Sequence, residues 1–288
     1  MHGRLPEPVL SRIPRTIWTF WDDADKVPAI VQMCIATWRK HNPDYSLTVL
    51  TMDNHMKYTG GVDVRKIKHN DSKQRASDFV RLLVLAEHGG VWCDASTICL
   101  QSLDWVQRKL SSNPDADFVG FYLDGWTRIQ QFPVIESWWF ACIPRSPLGC
   151  AWRDEFMGMQ EYPSIDAWLA VTKRDGVDTQ GIDVSNYYAI HVAAQRVMQL
   201  RHIGGIDPSA ARPAMELAAA ERGPYRYLVE TAWDSERAVR ELMDGTQSRL
   251  IRSRGLEKPP FIKLRGCERG HLERWGNEAA IQGAIDAL

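Results

Sequence analysis

The sequence predicts an α/β protein, a mixed sheet flanked by helices with a helical C-terminal elaboration. Three observations carry this. Strand and helix signals alternate through the first half, a short apolar run ending in a carboxylate follows a Gly-Gly helix stop, and helical spacing dominates beyond about residue 164.

Thr16 to Trp21 is a β-branched and aromatic run closed by Asp22 and Asp23, and reads as a first buried strand. Pro28 opens a helix in which Val31, Cys34, Ile35 and Trp38 share one apolar face, stopped by His41-Asn42-Pro43. Tyr45 to Thr51 alternates as a second strand. A polar, basic stretch from Lys57 to Lys73 precedes a second helix over about 74–88, whose Phe79, Val80, Leu83 and Ala86 recur at helical spacing. Gly89-Gly90 ends that helix, and Val91-Trp92-Cys93-Asp94 follows as a short strand. Further strands are expected at 117–123 and 137–143, and a helix at about 147–159. Helices are then expected at 166–173, 184–200, 213–221 and 235–244, with a last strand at 260–264 before a terminal helix. With no linker and no repeat, one domain over 1–288 is expected: an α/β part at about 13–145 and a mostly helical part at about 146–288.

Composition narrows the function. Of the 288 residues, 44% are hydrophobic and 25% charged, which excludes disorder, collagen and coiled coil. The net charge of −1 gives no global field for nucleic acid or anionic lipid, so an anion must be held by a local site. No apolar run is long enough to span a membrane, and the opening MHGRLPEPVL lacks a signal peptide's apolar stretch. A soluble, cytoplasmic protein is expected. The six cysteines show no metal spacing and read as buried thiols of a reducing compartment. The 12 tryptophans fit either a stacking cleft or a core rich in large aromatics.

The most informative segment runs from Ser77-Asp78-Phe79-Val80-Arg81 to Gly89-Gly90-Val91-Trp92-Cys93-Asp94-Ala95-Ser96. Ligands of open α/β sheets bind beyond the carboxyl ends of strands, where Asp94 falls. A buried carboxylate needs a partner or a metal. Asp94 and Ser96, two hard oxygen donors, suit Mg2+ or Mn2+, although an Asp at this position also simply starts a turn. Asp78 and Arg81, three apart on a helix, read either as a surface pair or as groups on the rim of the buried face. No GxGxxG, Walker loop, GxSxG or HExxH occurs, which removes dinucleotide, phosphate-loop, serine-hydrolase and zincin readings. None of the eight histidines has ligand spacing with another, so each is expected to be a surface or core polar residue.

These segments, together with Ile13-Pro14-Arg15-Thr16-Ile17-Trp18-Thr19-Phe20-Trp21 and Trp38-Arg39-Lys40-His41-Asn42-Pro43-Asp44-Tyr45, resemble the glycosyltransferases that carry the sugar-binding Asp-X-Asp motif. Within them the chain is most similar to the capsular polysaccharide synthesis proteins, a branch related to the large glucosylating toxins and alpha-mannosyltransferases. Ile135-Glu136-Ser137-Trp138-Trp139-Phe140, Tyr187-Tyr188-Ala189-Ile190-His191 and Pro260-Phe261-Ile262-Lys263-Leu264 extend the likeness to about residue 265.

The resemblance implies a GT-A type, Rossmann-like fold and transfer of a sugar from a nucleotide diphosphate donor, UDP or GDP, to a glycan acceptor. It also implies Mn2+ or Mg2+ and retention at the anomeric carbon. Carried over by position, Trp21 stacks on the base, Asp78 and Arg81 hold ribose and sugar hydroxyls, Trp92 flanks the nucleotide, and Asp94 meets metal and sugar. Ser96 stands where the motif has its second Asp, which makes metal dependence the weakest of these implications. Lys263, Arg265 and His271 are candidates to meet the diphosphate from the C-terminal segment, with Lys263 preferred. Glu136 is the carboxylate nominated to orient or deprotonate the acceptor hydroxyl. The alternatives from other classes are a non-catalytic sugar-nucleotide or glycan binding protein and an interaction domain whose tryptophans are all core.

Overall fold

The structure, a computed structural model, describes residues 12–205, 214–275 and 277–288. A six-stranded mixed sheet forms its centre, in the order β2-β1-β3-β6-β5-β7. Its strands are β1 (Thr16–Phe20), β2 (Ser46–Leu50), β3 (Gly90–Cys93), β5 (Phe118–Tyr122), β6 (Ile135–Cys142) and β7 (Met215–Ala219). The β1–β2, β1–β3 and β5–β7 pairs are parallel, while β6 is antiparallel to both β3 and β5, so it alone runs against the rest. A two-stranded antiparallel sheet of β4 (Thr97–Cys99) and β8 (Phe261–Lys263) stands apart.

The inner strands read as continuous apolar runs because both faces are covered. Every residue of β3 and of the eight-residue β6 is buried. Helix α1 (Ala29–His41) buries the predicted face of Val31, Cys34, Ile35 and Trp38. Helix α2 (Lys73–His88) is capped by the Ser72 hydroxyl, which accepts from the Arg75 amide, and is buried along most of its circumference against β1, β3 and α4 (Pro147–Gly158). Asp78 and Arg81 are therefore interior, not a surface pair: they are 2% and 4% exposed.

Most tryptophans are core. Trp38, Trp92, Trp139, Trp152 and Trp168 are fully enclosed, and Trp38 stacks on Phe261 with ring centroids 4.9 Å apart. The indole N–H groups of Trp38 and Trp152 donate to the carbonyls of Thr97 and Ile190, which removes the penalty of burying them. Cys34, Cys93, Cys99 and Cys142 are buried free thiols, Cys150 is half-buried and Cys267 exposed.

The expected elements of the first 165 residues form, and two short elements there carried no clear signal, β4 and α3 (Asp104–Ser112). The helix expected at 213–221 is a correction. Pro213 lies outside the described residues, and Met215–Ala219 is a strand paired in register with Phe118–Tyr122. Met, Glu, Leu and Ala favour helix, but the open edge of β5 offers five residues of ladder pairing, and tertiary pairing overrides a propensity of a few tenths of a kcal/mol per residue. The helix expected at 184–200 begins only at Ala189, as α6 (Ala189–Arg201), after a 3-10 turn at Asn186–Tyr188. Helices α5 (Ile165–Arg174), α7 (Arg226–Glu230), α8 (Ser235–Met243) and α9 (Thr246–Ser253) precede β8, and the single terminal helix expected is two, α10 (Gly266–Trp275) and α11 (Glu278–Ala287). No helix among the described residues is long and apolar enough to cross a membrane.

Gly89 does more than stop α2. Its backbone has φ +61° and ψ −156°, a region open essentially to glycine. A Cβ there would lie 2.5 Å from the Pro144 nitrogen and 2.8 Å from the Cys142 oxygen, both backbone atoms. Gly89→Ala is expected to destabilise by more than about 2 kcal/mol in denaturant unfolding. Gly61→Ala, at φ +82° but with nothing within 4 Å of the added carbon, should lose only about 1 kcal/mol. Equal losses would contradict the close-approach account.

Candidate functional site

The carboxyl ends of β1, β3 and β5 and the start of β6 meet at one edge of the sheet, which is where the sequence reading placed a ligand. Asp94 lies just beyond β3, its amide donating to the Trp138 carbonyl at 2.8 Å. The turn Asp94-Ala95-Ser96 then leads into β4, and the pairing of Thr97 with Lys263 on β8 brings a residue 169 positions away beside Asp94.

Asp94 is clasped on both oxygens. Its Oδ1 accepts from Arg81 Nη2 at 3.1 Å and from Trp92 Nε1 at 3.1 Å, and its Oδ2 accepts from Lys263 Nζ at 2.9 Å. Burial by itself would push the Asp94 carboxyl up, but the Lys263 ammonium and the Arg81 guanidinium outweigh it and hold the group below its ordinary value. The side chain remains 26% exposed, so the clasp opens to solvent on one side. Arg81 is fixed in turn by Ser137, whose carbonyl and hydroxyl accept at 2.7 and 2.9 Å, and by Ser77 Oγ at 3.1 Å, and it lies 5.1 Å over the Trp92 ring. Such a fork is pre-organised, losing little on engaging a ligand.

Asp78 sits 3.3 Å from Arg81 Nη2. Burial pushes its carboxyl up to about 6 despite the pull of Arg81 and Arg75. Its Oδ2 has no partner, and neither do Arg75 Nε and Nη1, Trp138 Nε1 and His191 Nδ1. Buried polar atoms are normally satisfied, and of these groups Arg75 and His191 are close enough to act electrostatically on Asp78.

Glu136, the second residue of β6, shares the strand face of Trp138 and is 6% exposed. Its Oε2 lies 3.2 Å from His191 Nε2. Tyr225 is pushed well above its ordinary value by burial and then by the Glu136 carboxylate beside it. Trp21 is half-buried just after β1, its N–H on the Lys26 carbonyl at 3.1 Å and Arg269 5.4 Å over its ring. Trp92, by contrast, is fully enclosed, so it reaches the site through its N–H and not through an open ring face.

Lys263 is the candidate of the C-terminal segment that reaches the carboxylate. Arg265 is bound to Glu268 at 2.6 Å and to Ser235, and His271 to Arg274 at 3.0 Å. Ser96 is buried, with its hydroxyl donating to the Leu264 carbonyl at 2.9 Å and accepting from Lys263 Nζ at 3.2 Å. Among the described residues no three of His, Cys, Asp and Glu are gathered as a metal cage. A well-formed cavity of about 310 Å³ lies away from Asp94, among the C-terminal helices, lined by Leu100, Tyr227, Leu242, Ile251, Ile262 and Leu288. It holds no acid and none of the predicted site residues, so the chemistry, not the hollow, locates the site.

Sequence reasoning missed Arg75, His191 and Tyr225. Arg75, Asp78 and Arg81 recur at three-residue spacing, a signal that was available. His191 and Tyr225 meet Glu136 only through tertiary folding.

The sequence model of the capsular polysaccharide synthesis protein family matches residues 6–145. Glycosyltransferase afumC of Aspergillus fumigatus is 27% identical over 187 residues, covering 55% of this chain and 46% of the relative. The putative glycosyltransferase HOC1 of Saccharomyces cerevisiae is 28% identical over 116 residues, 38% of this chain and 29% of the relative. The chain thus matches less than half the length of these curated relatives. Among solved structures, the PaToxG glycosyltransferase overlays with a TM-score of 0.39 and 14% identity, over 94% of this chain and 87% of its own. The galactosyltransferase LgtC, solved with donor and acceptor sugar analogs, overlays with a TM-score of 0.46 and 13% identity, over 92% and 95%. The family match thus falls on residues 6–145, the segment that carries Asp78, Arg81, Trp92, Asp94 and Glu136, and over part of its length the chain is similar to curated glycosyltransferases.

Proposed function

We propose that the chain is a glycosyltransferase that binds a nucleoside diphosphate sugar, with UDP or GDP as the nucleotide, at the carboxyl edge of its sheet and passes the sugar to a hydroxyl of a glycan acceptor. One observation carries the reading: a carboxylate just beyond the end of β3, kept ionised by a lysine and an arginine and open to solvent on one side.

As the glycosidic bond of the donor breaks, negative charge builds on the diphosphate and positive charge on the sugar ring. Lys263, Arg81 and Arg75, three cations against the two carboxylates Asp94 and Asp78, leave a net positive charge to meet the departing phosphate oxygens. Asp94 fixes both cations and offers its solvent side to sugar hydroxyls. Asp78 Oδ2 and Arg75 take further hydroxyls, and Trp21 flanks the base. Glu136, paired with His191, orients the acceptor hydroxyl. In this reading one domain spans residues 1–288, with the donor on the α/β part and the acceptor toward the helical part. Retention at the anomeric carbon follows from the resemblance and is read directly from the product's anomeric configuration by proton NMR. The protein acts in the cytoplasm, where the buried Cys34, Cys93, Cys99 and Cys142 stay reduced.

A second reading, a non-catalytic sugar-nucleotide binder, draws on Ser96, whose hydroxyl is engaged with the Leu264 carbonyl and Lys263. Turnover separates the two. Against a panel of UDP-, GDP-, CDP- and dTDP-sugars, the enzyme shows selective thermal stabilisation together with slow donor hydrolysis, and the binder shows stabilisation alone.

Asp94→Asn is expected to lower transfer or donor hydrolysis at least about 100-fold while far-UV circular dichroism stays native. It should also lower Tm, because it leaves Lys263 and Arg81 facing each other without their shared counter-charge. Undiminished turnover would overturn the site assignment.

Asp78 sets opposing pH dependences for binding and stability. A donor hydroxyl needs the carboxylate, so donor affinity should fall as pH drops through about 6, roughly tenfold per unit below it. Stability runs the other way. The folded value lies above the unfolded 3.8, so the group's stabilising contribution is complete below about 3.8 and is lost as pH rises through about 6. Asp78→Asn should accordingly gain stability relative to the wild type between pH 4 and 7, on the order of 2–3 kcal/mol by urea unfolding. A difference that is flat with pH would contradict the raised value.

A further inference from the structure

The resemblance brings a divalent cation to Asp94 and Ser96, and the side chains present there do not fit one. Mg2+ and Mn2+ take about six oxygen ligands at roughly 2.1 Å, and Mg2+ adapts poorly to a distorted set. Here Ser96 Oγ gives its proton to the Leu264 carbonyl and accepts from Lys263 Nζ, so the hydroxyl is spent on the chain itself. Both Asp94 oxygens already accept from cations. Glu136 has His191, and Asp78 is beside Arg81.

Lys263 Nζ occupies the bridging place. It lies 2.9 Å from Asp94 Oδ2 and 3.2 Å from Ser96 Oγ, spanning the two atoms that a metal would have to span. Its position is set from the backbone outward. Lys263 is opposite Thr97 in the β4–β8 ladder, its carbonyl accepts from the Tyr227 hydroxyl at 2.7 Å, and the side chain is 9% exposed. A swing away would leave Asp94 Oδ2 and Ser96 Oγ without their donor in a mostly buried setting.

We infer that the cation of this site is the Lys263 ammonium itself, and that the chain binds a nucleoside diphosphate without a divalent ion. This rests on the nucleotide-sugar reading above. One ammonium carries half the charge of Mn2+, and Arg81, on the other oxygen of the same carboxylate, supplies the remainder.

The test is calorimetric titration of the full chain with UDP and with GDP, once in EDTA and once with Mn2+, alongside electron paramagnetic resonance of Mn2+ titrated into the nucleotide-free protein. Nucleotide affinity should agree within about twofold between the two media, and the wild type should show no Mn2+ site that Asp94→Asn removes. Lys263→Met should weaken nucleotide binding about tenfold or more in EDTA, with Lys263→Arg restoring part of it. Binding that appears only with Mn2+, or one tightly held Mn2+ lost in Asp94→Asn, overturns the inference and leaves the nucleotide reading standing. Failure of both nucleotides in either medium overturns the nucleotide reading itself, and the inference with it. The EDTA comparison uses the unaltered protein, so it decides even where a variant fails to fold.

Discussion

The clasp of Lys263 and Arg81 on the Asp94 carboxylate is the contact on which the rest of the molecule depends. It joins α2 and the turn that leaves β3 to β8, which lies 169 positions further along the chain. Taking a carboxylate into the protein is unfavourable, and only two cations with aligned donors bring it back to an ionised state. The arrangement is therefore a fold constraint and, in the proposed reading, a functional one as well. The same pairing of β4 with β8 that closes the small sheet delivers the ammonium to Asp94.

The scaffold explains why the groups hold still. Asp94 follows a strand buried on both faces, Arg81 lies on a helix enclosed along most of its circumference, and Lys263 sits in a ladder. The tryptophan count finds its main explanation here too. Trp38, Trp139, Trp152 and Trp168 fill the core, while Trp92 does both, with its ring enclosed and its N–H on Asp94.

Much of the fold was legible because apolar periodicity and glycine breaks are local signals. The run from α2 through Gly89-Gly90 to Asp94 holds a helix, its stop, a strand and a carboxylate within a few tens of residues, and four site groups were readable from it. What was not legible is decided at a distance. Met215–Ala219 has the composition of a helix and becomes a strand because β5 presents an open edge. Asp78 and Arg81 have the spacing of a surface pair and are buried because α4 and the sheet cover that helix. Tyr225 carries no motif, His191 only closes the Tyr187-Tyr188-Ala189-Ile190-His191 likeness, and only the packing of α6 and of the segment before α7 against β6 brings them to Glu136. The role of Ser96 shows the same limit. As a residue type it suits a hard cation, whereas its partners, Leu264 and Lys263, lie in a strand region whose pairing the sequence does not announce.

The most direct measurement is a crystal structure of the chain with UDP grown in Mn2+, with anomalous diffraction data collected at the manganese edge. The account requires diphosphate oxygens within hydrogen-bond distance of Lys263 Nζ, Asp94 still bound to Lys263 and Arg81, and no anomalous peak between Asp94 and the phosphates. A manganese peak bonded to Asp94, with Lys263 turned away, would contradict it.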